Sequence, residues 1–142
     1  MRVSALAKKA GVTADTVRHY TRLGLLKPER DPSNGYQIYD TEALKYLRFF
    51  QKARLLGFSL SEIETIVHHE HEGTSPCPMV RQLMGRHLTR VREQINELQQ
   101  QLTRMEQAMQ AWEQMPDGEP SQGSICPLIE HWSNQEPSGA EK

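Results

Sequence analysis

The chain has 142 residues, 37% hydrophobic and 25% charged, with a net charge of −1 and two cysteines. That length holds one compact domain or a small domain with an elongated helix, and the apolar share is too lean for one thick core, which favours the second. No stretch approaches the roughly 18 apolar residues of a membrane span, and MRVSALAKKAGV lacks the apolar run and cleavage site of a secretory signal, so a cytoplasmic protein without a membrane partner is expected.

In a reducing compartment two cysteines do not make a structural staple; they are buried fillers or reactive and ligating thiols. The net charge conceals an asymmetry. Residues 1 to 54 carry 11 Lys and Arg against 5 Asp and Glu, whereas the remainder carries 6 against 13. A basic head on an acidic body points to a polyanionic partner for the head.

Along the chain, Val3, Leu6, Ala7 and Ala10 stand at helical spacing and Gly11 offers the backbone freedom on which a helix stops. A second short helix starts from Thr13 as cap, runs through Val17 and Tyr20, and ends near Gly24. Two short helices around a tight Gly-Val turn make a helix-turn-helix. The Asn34-Gly35 turn signal, followed by Ile38 and Tyr39, predicts a small hairpin, or wing. Two more helices are expected over 41–55 and 60–68, separated at Gly57 and restarted by a Ser59 cap.

From residue 84 the pattern changes. Met84, Leu88, Val91, Ile95, Leu98, Leu102, Met105, Met109 and Trp112 recur alternately four and three residues apart. That is a coiled-coil seam, and too few apolar residues remain elsewhere to cover it, so pairing with a second chain is expected. EQMPDGEPSQGS then reads as a loop, ICPLIEHW as one helical turn, and SNQEPSGAEK as a disordered tail.

The second helix of a helix-turn-helix lies in the DNA major groove. Here it offers Thr13, Asp15, Thr16, Arg18, His19 and Arg22, with Arg18 and Tyr20 suited to phosphate or base contact. The wing adds Arg30, Asn34 and Tyr36, and Lys45, Arg48, Lys52 and Arg54 extend the basic face. Charge alone is equally a set of solvated side chains; turn, wing and charge asymmetry together indicate double-stranded DNA.

The segments VSALAKKAGVTADTVRHYTRLGLL, NGYQIYD and LRFFQKARLLGFSLSEI resemble the N-terminal signature of the MerR family of transcriptional regulators, over roughly residues 1 to 67. The resemblance implies a mostly α fold: a winged helix-turn-helix head with following helices (1–70), a dimerisation helix (76–113) forming an antiparallel coiled coil, a short effector-binding loop and helix (114–133) and a tail (134–142). It implies a homodimer that acts on RNA polymerase at a promoter by bending and untwisting DNA, with no catalysis. It also implies Arg18, Tyr20, Tyr36 and Arg54 as DNA contacts. Gln37 stands where the family usually has arginine, and His19 and Thr21 depart from the common RYYE.

Cys77 precedes Pro78 and Cys126 precedes Pro127, so both sulfurs lie at expected helix starts, where unpaired N–H groups and the helix dipole favour negative charge and hence a metal-ligating or nucleophilic sulfur. A helix over 78–112 spans about 52 Å, whereas the chain from 112 to 126 reaches back at most about 50 Å, so the two thiols essentially cannot meet within one chain. In an antiparallel dimer they meet across subunits, giving two identical sites. This matches the metal-sensing branch of the family, whose second loop cysteine segment CPLIE resembles. That branch usually has a further cysteine where this chain reads AWEQMPDGEP, which rules out three thiolates at one site.

Two thiolates suit a linear ion such as Cu(I) or Hg(II); zinc needs about four ligands, so His131, His68, His69 or His71 is expected to add nitrogen. HHEH is equally a histidine-rich polar helix end, and His87, just off the seam, reads as packing or solvated. By resemblance, cysteine rather than serine at position 77 accompanies divalent ions, Zn(II) first and Cd(II), Pb(II) or Hg(II) behind. Such a metal-responsive regulator of an efflux or detoxification promoter competes with a thiol-based sensor of oxidants or aldehydes. A Cys-His enzyme is disfavoured because no deep pocket is expected.

Overall fold

The computed structural model describes residues 1–121 and 123–134 of the chain. Six helices and one two-stranded hairpin follow in the order α1 (Val3–Ala10), α2 (Ala14–Arg22), β1 (Glu29–Arg30), β2 (Gln37–Ile38), α3 (Thr41–Leu55), α4 (Leu60–His71), α5 (Cys77–Trp112) and α6 (Pro127–His131). Of the anticipated tail, 135–142 lie outside the described residues.

Local chemistry sets most of these boundaries. α1 stops on Gly11, which adopts φ 73°, a left-handed conformation that costs glycine little. Thr13 Oγ1 accepts from the Thr16 N–H at 3.1 Å to open α2, and Asp40 does the same for Ala43 at 3.0 Å at the start of α3. α4 begins with a full capping box: Ser59 Oγ accepts from Glu62 N–H and Glu62 Oε1 accepts from Ser59 N–H. It runs to His71, three residues past the expected end, because the first residue able to stop it cheaply is Gly73, at φ 76°.

The wing is antiparallel, with Glu29 opposite Ile38 and Arg30 opposite Gln37. Its turn is longer than a two-residue Asn-Gly hairpin. Asp31 Oδ1 accepts from both the Ser33 N–H and hydroxyl, and Asn34 Oδ1 accepts from Tyr36 N–H. These side-chain bonds reinforce two backbone bonds across the tip, from the Asp31 N–H to the Tyr36 carbonyl and from the Gly35 N–H to the Asp31 carbonyl, both at 2.8 Å.

The chain forms two compact units, Met1–His87 and the segment from Leu88 onward. In the first, Leu6, Val17, Tyr39, Leu47, Phe50 and Ile63 are fully buried and form the centre of the core. Met79, Val80, Leu83 and Met84 pack against that core. The opening turns of α5 therefore pack with the head. Burying each large side chain contributes about 1.5–3 kcal/mol, which is why the head has one continuous core. In the second unit, Leu88, Val91, Ile95, Leu98, Leu102, Met105 and Met109 are all between 45% and 63% exposed. The predicted seam is thus uncovered along its middle. Its far end is partly closed: Ala108 is buried, and the Trp112 indole N–H donates to the Leu128 carbonyl at 3.0 Å, docking α6. Among the described residues no helix is long and apolar enough to cross a membrane.

Candidate nucleic-acid interface and metal centre

On α2, Arg18 and His19 are exposed, as is Arg22 at its end, with Thr16 half-buried and Thr13 exposed at the cap. Thr13 and Thr16 hydroxyls lie 3.0 Å apart, so both threonines serve the helix start before they can serve DNA. Arg18 Nη1 lies 2.9 Å from Asp15 Oδ1, with the Asp15 side chain 92% exposed. In water such a pair is worth well under 1 kcal/mol, so phosphate can displace Asp15 at small cost.

Tyr20 turns its ring inward. It is 7% exposed, with its ring centroid 5.2 Å from that of Phe50. Its place at helical spacing from Val17 turns it inward, and its ring belongs to the core, not to a groove-facing surface. Thr21 explains one departure from the family pattern. Its hydroxyl donates to the Val17 carbonyl at 2.8 Å and lies 2.6 Å from the hydroxyl of Tyr39, which is 1% exposed. A buried phenol needs a partner, and Thr21 supplies it.

In the wing, Arg30 Nη1 donates to the Gly35 carbonyl at 3.0 Å, which holds the guanidinium along the hairpin. Tyr36 is 54% exposed and carries the Arg2 guanidinium 4.2 Å from its ring centroid. Arg2 was not among the expected residues. The contact is 34 positions long-range, so no local pattern announces it, yet a cation stacked on an aromatic ring beside the wing adds to the basic surface. Arg54 Nη1 donates to the Phe58 carbonyl at 2.9 Å, and Arg48 Nη2 to the Lys9 carbonyl at 3.4 Å. The first holds the α3–α4 connection and the second the last turn of α1, 39 positions away, and both guanidiniums keep further donors to spare.

The thiols are both free. Cys77 is exposed and is the first residue of α5, its N–H donating to Ser75 Oγ at 3.3 Å. Cys126 is half-buried and forms the N-cap of α6, with Pro127 at the first helical position. His131 Nδ1 lies 2.8 Å from the Pro127 carbonyl. A carbonyl only accepts, so Nδ1 is the donor, and Nε2 is the ring nitrogen left to face a metal ion.

Glu130 was missed by the sequence reading. Its Oε1 accepts from the Ser124 hydroxyl at 2.8 Å and its Oε2 from the Ile125 N–H at 3.0 Å. The Ile125 N–H first, then the Ser124 hydroxyl, hold its carboxyl below the ordinary range.

Two of the three α4 histidines, His68 and His71, have side-chain partners nearby. His68 Nε2 is 3.2 Å from Glu72 Oε2. His71 Nε2 is 3.3 Å from the Tyr46 hydroxyl, which in turn donates to Glu70 Oε1 at 2.7 Å; that carboxylate pushes the phenol up to about 12. His87 is 8% exposed, its Nε2 2.9 Å from Glu62 Oε1 and its ring edge-on to Phe58, so it is a packed and paired residue. Among the described residues of one chain, no three His, Cys, Asp or Glu side chains converge in a way that could hold a metal ion.

A winged helix-turn-helix with an exposed basic recognition helix defines a DNA-binding transcription factor. Comparison with known proteins gives its family. Residues 1–70 match the MerR HTH family regulatory protein model and residues 44–108 the MerR DNA-binding model. The "HTH-type transcriptional regulator ZntR homolog" of Haemophilus influenzae is 33% identical over 69% of this chain and 73% of its own. Among solved structures, the transcription regulator PbrR691 of Ralstonia metallidurans CH34 in complex with lead(II) superposes with a TM-score of 0.73 at 25% identity, covering 92% of this chain and 97% of that one. HiNmlR, a MerR family regulator lacking the sensor domain, bound to promoter DNA, gives 0.53 at 25% identity over 80% of this chain and 86% of its own. The chain belongs to the MerR family of transcriptional regulators, and the relatives it resembles include metal-responsive members. It is not an enzyme.

Proposed function

We infer that this protein is a homodimer, paired antiparallel through the seam of α5, that senses a thiophilic divalent metal ion and activates a metal efflux or detoxification promoter. Each of its two sites takes Cys77 from one protomer and Cys126 with His131 from its partner. Zn(II) is the first candidate, ahead of Cd(II), Pb(II) and Hg(II), because two sulfurs and an imidazole nitrogen suit a four-coordinate borderline ion with one position left over.

The observation that carries the reading is the pair of free thiols at the starts of α5 and α6, accompanied by a His131 whose Nε2 is left to face a metal ion. The half-exposed seam supports the second subunit: a row of apolar side chains this long is covered in a stable coiled coil. His68 and His71, whose pairs with Glu72 and with Glu70 and Tyr46 are solvent-exposed and weak, stand behind His131 as further nitrogen donors. Thr13, Thr16, Arg18, His19, Arg22, Arg30, Tyr36 and Arg54 make the DNA-facing surface, with RNA polymerase at the same promoter in the cytoplasm. Capture of the ion between subunits favours one dimer shape over another, and that difference is spent on twisting and bending the bound duplex.

The test is titration of the pure dimer with Zn(II), Cd(II) and Pb(II) against a competing chelator, together with metal-dependent transcription in vitro. Two divalent ions per dimer, lost on Cys77→Ser or Cys126→Ser, is the expected result. Absence of binding, with transcription switched instead by peroxide or aldehyde, would replace metal sensing by thiol reactivity; a preference for Cu(I) would move the protein to the monovalent class.

A further inference from the structure

We propose that Glu130 is a positioning residue which presets Cys126 for the ion, and so sets metal affinity without itself binding metal. The inference rests on the metal-sensing reading above and deepens it.

Cys126 lies in a short loop between a Pro- and Gly-rich stretch and a helix of only five residues, Pro127–His131. Nothing about such a segment holds a sulfur in place by itself: isolated helices this short are unstable, and loops of this composition are mobile. Here the segment is fixed from both sides of the cysteine by one residue. The Glu130 N–H donates to the Cys126 carbonyl at 3.0 Å, closing the first helical turn. The Glu130 side chain reaches back past the cysteine, one oxygen taking the Ser124 hydroxyl and the other the Ile125 N–H. The backbone before and after the sulfur is therefore tied to the same side chain and helix. The second anchor is independent of Glu130: the Trp112 indole N–H on the Leu128 carbonyl holds α6 to α5.

Both carboxylate oxygens are already occupied by loop donors. A carboxylate tied on both oxygens to the loop before the cysteine is placed to hold that loop in shape around the sulfur. A loop ordered before the ion arrives spends less conformational entropy on binding, which raises affinity with no new contact to the ion. Outer residues that orient metal ligands typically change affinity about 10- to 100-fold when removed.

The experiment compares the full-length dimer with its Glu130→Ala, Glu130→Gln, Ser124→Ala and Cys126→Ser variants. Zn(II) affinity is measured by chelator competition, and hydrogen exchange at the Ile125 amide is followed in the metal-free protein. The Trp112 indole resonance checks that α6 stays docked. We expect Glu130→Ala to weaken Zn(II) about 10- to 100-fold and to speed Ile125 exchange, Ser124→Ala to do less of both, and Glu130→Gln to recover most of the loss. Glutamine keeps an acceptor for Ile125, and the Ser124 hydroxyl can turn to accept from its amide.

Unchanged affinity in Glu130→Ala overturns the proposal. So does a glutamine variant as weak as the alanine one, since the carboxylate charge would then be acting directly on the ion. Should Cys126→Ser bind Zn(II) as tightly as the parent, the metal site itself is misplaced, and the Ile125 exchange data separate that failure from failure of the clamp.

Discussion

Glu62 Oε1 and His87 Nε2 lie 2.9 Å apart although the residues are 25 positions apart in sequence. The same carboxylate oxygen accepts the Ser59 N–H that opens α4. One side chain thus joins the cap of α4 to the first third of α5, with His87 buried and Phe58 against its ring. Removing His87 leaves a sheltered carboxylate short of a partner. His87→Ala should lower stability by roughly 1–3 kcal/mol, read as a fall in the urea midpoint, and His87→Gln should lose less.

The same pair carries a pH dependence. The Ser59 N–H, and with it the His87 ring, hold the Glu62 carboxyl below its ordinary value of 4.5. A carboxyl with a depressed folded value binds fewer protons than in the unfolded chain. Its contribution is therefore fully present above the ordinary carboxylate range and is lost as pH falls through the folded value. Against Glu62→Gln, the protein should show a constant stability advantage at neutral pH that shrinks as pH drops below about 4.5. An advantage that grew on acidification would contradict this assignment.

Burial of Tyr20 separates two roles by substitution. Tyr20→Phe should leave both the denaturation midpoint and operator affinity nearly unchanged, since the ring keeps its contact with Phe50. Tyr20→Ala should cost about 3–5 kcal/mol of stability, as for other large aromatic truncations in cores. A Phe variant stable as the parent but weak on DNA would restore the hydroxyl as a phosphate contact.

Arg18 and Asp15 should behave oppositely on DNA. Arg18→Ala should weaken binding and, if the contact is to phosphate, reduce the slope of log affinity against log salt by about 0.9. Asp15→Asn frees the guanidinium from its 2.9 Å partner and removes a repelling charge. Binding should hold steady or tighten, and a salt titration of both variants checks it.

What could be read without coordinates follows the range of the forces involved. Thr13, Ser59 and Gly11 act on residues within four positions, and the seam from Leu88 to Met109 is a periodicity, so each was visible in the order of residues. Tyr20 was read only as a DNA contact, from its place on the second helix and by resemblance, although its helical spacing from Val17 also carries the inward turn of its ring. Arg2 on Tyr36 and Glu62 on His87 were invisible because the chain must fold before the partners meet. Glu130 lay between these cases. A glutamate four residues beyond a Cys-Pro helix start is placed to reach back over the loop, but only the fold shows that it takes Ser124 and Ile125 together.

The most direct measurement of the central claim uses mixed dimers in which one protomer carries Cys77→Ser and the other Cys126→Ser. If each site draws its sulfurs from opposite subunits, one site keeps both thiols and the other loses both. Such a dimer should bind one Zn(II) with the affinity of the unsubstituted protein, while the Cys77→Ser and Cys126→Ser homodimers bind none tightly. A mixed dimer that binds no tighter than either homodimer would contradict the shared site and with it the proposed route from metal to DNA.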